Sequence, residues 1–186
     1  GDHRDLHSFP TRRSSDLVNR AGTITHRLLG FSRKISAEYD VQINELIRET
    51  ISFLESEANS NNITLNLHFD DALPVIRTDG SQVQQALLNL IENSLDAVGS
   101  GGQIDITTSR SPKEVSIQIA DNGPGIKPEV LAKIWEPFFT TKEPGKGTGL
   151  GLSICSDIAH KLGGEIIAEN RPQGGAQFTL KLPIRG

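Results

Sequence analysis

Apolar residues recur at spacings of three and four in three long segments of the chain, residues 43–58, 81–98 and 150–162. Side chains spaced in this way share one face of an α-helix, so each segment is predicted to be a helix with one face towards the core. The predicted core-facing stripes consist of Leu46, Ile47, Ile51 and Leu54; of Val83, Leu87, Leu90, Ile91 and Leu95; and of Leu150, Ile154, Ile158 and Leu162.

Alternation of apolar and polar residues predicts strands elsewhere. It is clearest at residues 62–69, where it places His68 on the solvent-facing side. Further strands are predicted at residues 103–109, 114–120, 165–169 and 176–182, with a turn at 74–80 and a short helix at 128–135. Because the strands do not alternate regularly with helices, the predicted fold class is α/β, a two-layer α/β sandwich with helices covering one face of a mixed sheet.

The first 36 residues differ in character from the rest of the chain. Residues 5–17 lack periodicity and resemble the in-frame translation of a sequencing adapter, so residues 1–17 are interpreted as a non-native or unstructured segment. The alternative is a polar N-terminal arm rich in Ser and Arg. Residues 18–36 have apolar side chains at helical spacing and predict an amphipathic helix that needs a partner surface. Residues 37–186 form the third predicted unit.

Composition narrows the classes of partner. The 186 residues carry a net charge of -4, which provides no basic field for nucleic acid or an anionic membrane. The single cysteine, Cys155, lies in an apolar helical pattern, so we expect a packed thiol and a cytoplasmic protein. The chain has no methionine and no apolar run of the ~20 residues that cross a bilayer. We therefore expect a fragment whose parent protein carries any membrane anchor elsewhere.

Three short blocks carry the candidate chemistry: NLIENSLDA at residues 89–97, DNGPGI at 121–126 and GKGTGLGLSI at 145–154. In and just before the first block, polar side chains line one face of a predicted helix and offer the hard oxygen ligands that Mg²⁺ prefers. The alternative is a solvated helix face, although two Asn inside a helix are unfavourable by propensity. The side chains concerned are Gln85, Asn89, Glu92, Asn93 and Asp96.

The second block begins with a carboxylate that is predicted to point inwards. Asp121 shares the parity of the apolar residues in the strand before it. A buried carboxylate needs a donor, and the exocyclic amine of adenine is a donor where guanine has an acceptor. Gly123 and Gly125 let the backbone turn and approach a ring closely. The alternative is an ordinary Asp-Asn-Gly turn.

The third block places three glycines around the predicted start of a helix, at Gly147, Gly149 and Gly151. Free N–H groups at such a terminus can meet phosphate oxygens, with assistance from the helix dipole. Lys142 and Lys146 add positive charge nearby. The Pro and Gly content of the loop at residues 136–147 is typical of a hinged lid.

In this order, the three blocks resemble the ATP-binding domains of sensor histidine kinases, within the superfamily of gyrase, chaperone and mismatch-repair ATPases. The segment PFFTTK at residues 137–142 resembles the phenylalanine-containing box of the nitrogen-regulation subgroup, and one of Phe138 and Phe139 is expected to pack in the core. The resemblance implies the Bergerat-type ATP-binding fold. Residues 18–36 then resemble the second helix of a dimerisation hairpin.

The resemblance implies a part in a bacterial two-component system, in which the γ-phosphoryl of ATP passes to a histidine and then to an aspartate of a response regulator. The implied partners are the receiver domain of that regulator and a second copy of the intact protein. His26 is followed by Arg27 rather than by an acidic residue, so it does not fit the acceptor pattern. With the acceptor helix missing, the fragment alone is not expected to autophosphorylate.

The resemblance also implies site residues. The catalytic residues would be Asn89, Asn93 and Lys142, and the magnesium ligand would be Asn93, helped by Asn89. The residues implied in ATP binding are Asn93, Asp96, Asp121, Gly123, Gly125, Ile126, Phe139, Thr140, Lys142, Lys146, Gly147, Thr148, Gly149, Leu150, Gly151 and Leu152.

One departure from the kinase pattern and three alternative functions remain open. Ala176 stands where many relatives carry a Thr that helps to hold the adenine-binding Asp. Hydrolytic ATPases of the gyrase or mismatch-repair type carry a Glu four residues before the metal-binding Asn, whereas this chain has Asn89, whose amide is a poor base. A hydrolytic ATPase and a nucleotide-binding module without turnover are the alternatives to the kinase. A serine kinase that shares the pocket would not need residues 18–36.

Overall fold

The computed structural model describes residues 37–143 and 147–185. The predicted helix at residues 18–36 and the interpretation of residues 1–17 lie outside this range, as does Lys146. The strands are β1 (Tyr39–Val41), β2 (Thr64–His68), β3 (Ile76–Thr78), β4 (Gln103–Arg110), β5 (Glu114–Asp121), β6 (Glu165–Asn170) and β7 (Ala176–Pro183). The helices are α1 (Ile43–Ser52), α2 (Glu55–Ser60), α3 (Gly80–Val98) and α4 (Gly151–Lys161).

Strands β2, β4, β5, β7 and β6 form one mixed sheet in that order. Strand β2 runs parallel to β4, whereas the other neighbouring strands are antiparallel. Alternate residues of the central strands are buried, including Ile104 and Ile106 in β4 and Ile117 and Ile119 in β5. Helix α3 packs on β5 and on α4, which in turn packs on β6. The predicted two-layer α/β sandwich is therefore confirmed.

Helix α3 is the central element of the core. Its predicted stripe is buried at every position, Val83, Leu87, Leu90, Ile91 and Leu95. The helix begins after Asp79, whose Oδ1 accepts hydrogen bonds from the backbone N–H groups of Ser81 and Gln82 at 3.1 and 3.2 Å. This N-cap satisfies donors that have no partner within the helix. It fixes where α3 starts, and hence which side chains it turns towards the sheet.

The first predicted helix is interrupted. Helix α1 ends at Ser52 and α2 begins at Glu55, whereas a single helix was predicted over residues 43–58. At the break, the N–H of Leu54 donates to the carbonyl of Ile51 at 2.8 Å, a bond to the third preceding residue instead of the fourth. The apolar spacing continues across the break because Leu54 and Ala58 are both buried. Periodicity alone therefore could not reveal it.

The short helix predicted at residues 128–135 is wrong, and successive turns occupy this segment. The N–H groups of Val130, Lys133 and Glu136 each donate to the carbonyl three residues before them, at 3.0, 2.8 and 3.0 Å. The turns still bring apolar side chains to the core. Trp135 packs edge-on against Phe178 with the ring centroids 6.3 Å apart.

Two further details differ from prediction. The turn predicted at residues 74–80 contains strand β3, which pairs antiparallel with β1 and places Tyr39 opposite Thr78. Each of these strands has three residues, too few for alternation to stand out. On α4 the buried apolar residues are Cys155, Ile158 and Ala159, whereas Ile154 is half-buried. Ile158 and Leu162 are buried as predicted, and the core face is wider than the predicted stripe because the small side chains of Cys155 and Ala159 also lie in it.

The N-cap of α3 gives a stability prediction. Asp79→Ala removes an acceptor for two backbone N–H groups, so we expect the free energy of unfolding to fall by about 1–2 kcal/mol. Urea denaturation followed by circular dichroism measures it. Asp71→Ala, at an exposed position in the turn before β3, is the matched control. Equal effects of the two substitutions would contradict a special role for the cap.

Candidate functional site

The three blocks identified in the sequence meet at one place, where the second half of α3 lies against the end of β5 and the start of α4. The Nδ2 of Asn89 donates to the carbonyl of Gly151 at 3.4 Å. A Cβ placed on Gly151 would lie 3.9 Å from Nδ2 of Asn93. A Cβ placed on Gly123 would lie 2.9 Å from the carbonyl oxygen of Ala97. Helix α3 therefore contacts both other blocks.

Asp121 ends β5 with its carboxylate turned inwards. The residue is only 1% exposed, as its parity in the strand predicts. Its Oδ1 accepts hydrogen bonds from the N–H of Gly123 at 2.9 Å and from the N–H of Ala176 at 3.2 Å. The bond from Gly123 is the one expected for an Asp-Asn-Gly turn, which was the alternative interpretation of this block. The structure therefore contains both the turn and the inward carboxylate. The second shows that the backbone at position 176 contacts the carboxylate although the side chain has no hydroxyl.

The loop that follows Asp121 is held by residues that the sequence did not point out. The side chain of Asn170 makes two hydrogen bonds to the backbone of Ile126, and Nη1 of Arg171 donates to the carbonyl of Asp121 at 2.9 Å. Asn170 is the last residue of β6 and Arg171 follows it, directly before Pro172, where polar side chains are ordinary at the end of a strand. No sequence signal marked them. Gly125 lies in this loop with φ 76°.

The start of α4 is open to an anion. Helix α4 has no side-chain cap at Leu150, so its first N–H groups are not satisfied by a capping side chain. The N–H of Leu150 contacts Oγ1 of Thr148 at 3.4 Å. Gly151 and Leu152 form the first turn and are half-buried beside α3. The predicted phosphate-binding terminus is thus placed next to Asn93.

The loop before α4 folds back onto α3. Nζ of Lys142 forms an ion pair with Oδ2 of Asp96. A Cβ on Gly147 would lie 3.0 Å from Oγ1 of Thr140, which also accepts from the N–H of Lys142 at 3.1 Å. Lys142 and Asp96, two of the residues predicted to bind ATP, therefore contact each other.

The phenylalanine pair behaves as expected, with one ring packed and one not. Phe139 packs against the core, whereas Phe138 is 75% exposed and has φ 68°. The N–H of Phe138 donates to the carbonyl of Gly149 at 2.8 Å. This bond joins the two ends of the loop at residues 138–149, of which residues 144–146 are not described.

Asn89 is turned towards α4. Its side chain also acts on the pKa of the buried thiol of Cys155. Burial raises the pKa of Cys155 to about 12, an effect that the neighbouring amide of Asn89 only partly offsets. The thiol stays neutral and contacts the carbonyl of Ala86 at 3.6 Å, as expected for a packed cysteine. These contacts make Asn89 a link between helices.

The outer face of α3 is electronegative. Burial raises the pKa of Glu57, and the nearby carboxylates of Asp96 and Glu92 raise it further. Within residues 37–143 and 147–185, no group of three or more His, Cys, Asp and Glu side chains could hold a metal. A divalent cation at this face would therefore be held by amide oxygens, single carboxylates and groups of a bound ligand.

Comparison with known proteins agrees with this geometry. The sequence profile of the family described as "Histidine kinase-, DNA gyrase B-, and HSP90-like ATPase" matches residues 78–186. The chain belongs to this family. In the described residues of this ATPase-family domain, no helix is long and apolar enough to cross a membrane.

The relatives of the domain are sensor kinases. It is 39% identical over 144 residues to the sensor histidine kinase ZraS of Escherichia coli (strain K12). The aligned residues cover 77% of this chain and 30% of ZraS. The catalytic domain of histidine kinase ThkA superposes with a TM-score of 0.73 and 36% identity, covering 79% of this chain and 97% of that one. Histidine kinase ThkA in complex with response regulator protein TrrA matches with a TM-score of 0.78 and 30% identity, covering 97% and 53% of the two chains.

Within the ATPase-family domain, Ser94 is the described residue with a buried side-chain oxygen that lacks a hydrogen-bond partner. It is fully buried and lies on the core-facing side of α3, between Leu90 and Val98. A buried hydroxyl without a partner costs roughly 1–3 kcal/mol.

Ser94 gives a second stability prediction. Ser94→Ala should leave the free energy of unfolding unchanged or raise it by up to about 1 kcal/mol, because no bond is lost. Thermal and urea unfolding measure it. Ser153→Ala is the matched control, since that buried hydroxyl donates to the carbonyl of Leu150 at 2.9 Å and its loss should destabilise. Equal destabilisation by both would mean that Ser94 does have a partner.

Proposed function

We propose that this domain binds ATP with Mg²⁺ in the junction between α3, the end of β5 and the start of α4, and that it is the catalytic domain of a two-component sensor kinase. The observation that carries the proposal is the convergence of three chemically different groups on one junction: a buried carboxylate, helix amides and an uncapped helix N-terminus. Membership of the ATPase family supports ATP as the nucleotide.

Asp121 is the residue proposed to read the base. Its Oδ1 is occupied by two backbone N–H groups, and the carboxylate cannot be solvated freely at 1% exposure. The second oxygen can then accept a hydrogen bond from the exocyclic amine of adenine, whereas guanine presents an acceptor there. Gly123, Gly125 and Ile126 follow in the loop beside it and are proposed to contact the ring.

The phosphates are proposed to lie at the N-terminus of α4. The N–H groups from Gly149 to Leu152 and the helix dipole favour an anion at this point. Lys142 reaches the same region through its contact with Asp96, and Lys146 adds a charge in the sequence. An arriving triphosphate would compete with Asp96 for Lys142. Thr140, Phe139 and Thr148 belong to the loop that would cover it.

Asn93 is the proposed ligand of Mg²⁺. Its amide is half-buried next to Gly151, and its oxygen is of the kind that Mg²⁺ prefers. When bound, the ion neutralises charge on the phosphates during phosphoryl transfer. Because the side chain of Asn89 already donates to the carbonyl of Gly151, we propose that it positions α4 against α3 and that Asn93 is the main ligand.

The site suits transfer to a histidine better than hydrolysis. Phosphoryl transfer requires positioning and charge neutralisation, and the domain need not supply a base. Asn89 cannot activate water effectively, because an amide is a poor proton acceptor. The chain spans 15–37% of the length of its curated relatives, 30% of ZraS for example, so the acceptor histidine and the activity of the whole protein belong to the proposal.

The partners are proposed on the same basis. The ThkA complex with TrrA supports a response-regulator receiver domain as the recipient of the phosphoryl group. The amphipathic pattern of residues 18–36 supports dimerisation of the intact protein through a helical hairpin. Use of ATP and a response regulator supports a cytoplasmic location for this domain.

Labelled ATP and a separately produced dimerisation and acceptor domain from ZraS test the proposed activity. Transfer of label from γ-labelled ATP to a histidine would support the kinase. Binding without transfer would instead favour a nucleotide-binding module. Steady release of free phosphate would favour a hydrolytic ATPase.

The metal assignment predicts the effect of Asn93→Ala. Loss of the amide oxygen should reduce ATP affinity in magnesium to the value that the unaltered domain shows in EDTA. Isothermal titration calorimetry with and without magnesium measures this. Asn59→Ala, at an exposed position in α2, should change neither value. A magnesium effect that survives in the Asn93 variant would remove the assignment.

The base-reading assignment predicts the effect of Asp121→Asn. The substitution keeps an oxygen that can accept from Gly123 and Ala176, so the fold should persist. It replaces the other acceptor by a donor, so ATP affinity should fall roughly 10- to 100-fold, the loss of one buried hydrogen bond with charge. Competition between ATP and GTP for a fluorescent nucleotide measures the preference. Undiminished preference for ATP would exclude Asp121 as the base-reading residue.

A further inference from the structure

The last residue of β6 and the turn that follows it hold the loop at residues 121–126 at both ends. At one end, the N–H of Ile126 donates to Oδ1 of Asn170 at 2.7 Å, and Nδ2 of Asn170 donates to the carbonyl of Ile126 at 2.6 Å. At the other end, Nη1 of Arg171 donates to the carbonyl of Asp121 at 2.9 Å. At the start of β7, the N–H of Ala176 donates to Oδ1 of Asp121 at 3.2 Å.

The amide of Asn170 binds Ile126 as a neighbouring strand would. It satisfies both the donor and the acceptor of one residue, which a side chain without both groups cannot do. It also fills the space beside Gly125, where a Cβ would lie 2.8 Å from its Oδ1. Because Gly125 also has φ 76°, this part of the loop accepts no side chain.

The other end of the loop is packed backbone against backbone. A Cβ on Gly175 would lie 1.9 Å from the carbonyl oxygen of Asp121. Arg171 spans from that carbonyl to Asp105 on β4, with its Nη2 3.6 Å from Oδ2 of Asp105. Hydrogen bonds from Asn66 and Gln103 lower the pKa of Asp105, and Arg171 contributes less. A charged Asp105 thus anchors the guanidinium.

We propose that Asn170 and Arg171 are positioning residues for nucleotide binding, which hold the loop at residues 121–126 in its base-accepting shape before the ligand arrives. The inference rests on the proposed role of Asp121. A loop that is already ordered loses less entropy when ligand binds, so affinity for the base depends on these contacts although neither side chain need touch it. The phosphate-binding end of the site lies on other elements and should be independent of them.

Asn170→Ala is the direct test, with MgATP and magnesium tripolyphosphate as probes in calorimetry. The tripolyphosphate carries no base, so it reports on the phosphate end alone. We expect roughly tenfold weaker ATP binding from two lost hydrogen bonds and unchanged tripolyphosphate binding. Gln173→Ala, an exposed residue in the same turn, should change neither. An unchanged ratio of the two affinities in the Asn170 variant would overturn the inference.

Hydrogen exchange at the amide of Ile126 gives a readout that needs no nucleotide. Exchange should accelerate in Asn170→Ala and stay unchanged in Gln173→Ala. Asn170→Asp keeps the acceptor for Ile126 but not the donor, so it should weaken ATP binding to an intermediate degree. If Asn170→Ala does not fold, the proposal is tested with Asn170→Asp and Arg171→Lys. Normal ATP affinity in both variants contradicts it, and loss of ATP affinity with unchanged tripolyphosphate affinity supports it.

The outcome is separable from that of the proposed function. Failure of the unaltered domain to bind MgATP would remove the proposed function itself. Binding by the unaltered domain together with full ATP affinity in the Asn170 variants would remove only the positioning role.

Discussion

The carboxylate of Asp121 is buried at the end of a central strand, and much of the site is arranged around keeping it there. A buried carboxylate is costly unless donors satisfy it. Here two backbone N–H groups, from Gly123 and Ala176, satisfy one oxygen. The Ala176 donor depends on the sheet, since β7 pairs with β5 up to the residues beside this point, with Ala120 opposite Gln177. The register of the sheet therefore sets the polar contacts of the site.

Helix α3 joins this carboxylate to the rest of the site. One side of the helix carries the apolar stripe that packs on the sheet, and the other carries Asn89, Asn93 and Asp96 towards α4 and the loop before it. The same rotation that buries Leu87 and Leu90 thus places the amides beside Gly151. A substitution that changes the packing of the stripe would move the polar face with it, so stability and ligand binding are coupled through this helix.

The sequence predicted those parts of the fold whose pattern is long and whose side chains differ clearly in polarity. Helix α3, the strands β4 to β7 and the inward direction of Asp121 are of this kind. It did not predict the break after Ser52, because the apolar spacing continues across it, or strand β3, because three residues carry too little alternation. The turns at residues 128–135 pack apolar residues much as a helix would, and only the hydrogen bonds distinguish them.

The site also has parts that the sequence predicted and parts that it did not. Glycines, amides and an inward acid in three blocks were sufficient to predict which segments meet, since each type of residue suits one part of a nucleotide. The contacts of Asn170 and Arg171 with the loop at residues 121–126 were beyond prediction. They join residues 44 and 50 positions apart, and nothing in the local sequence distinguishes them from ordinary turn residues.

The central claim is that the three segments form one binding site for one ligand. Nuclear magnetic resonance with ¹⁵N-labelled protein tests it most directly, by titration of magnesium and a non-hydrolysable ATP analogue. The account predicts that amides at residues 89–97, 121–126 and 147–152 all shift and that their shifts fit a single dissociation constant. Shifts confined to one segment, or different dissociation constants for different segments, would contradict it.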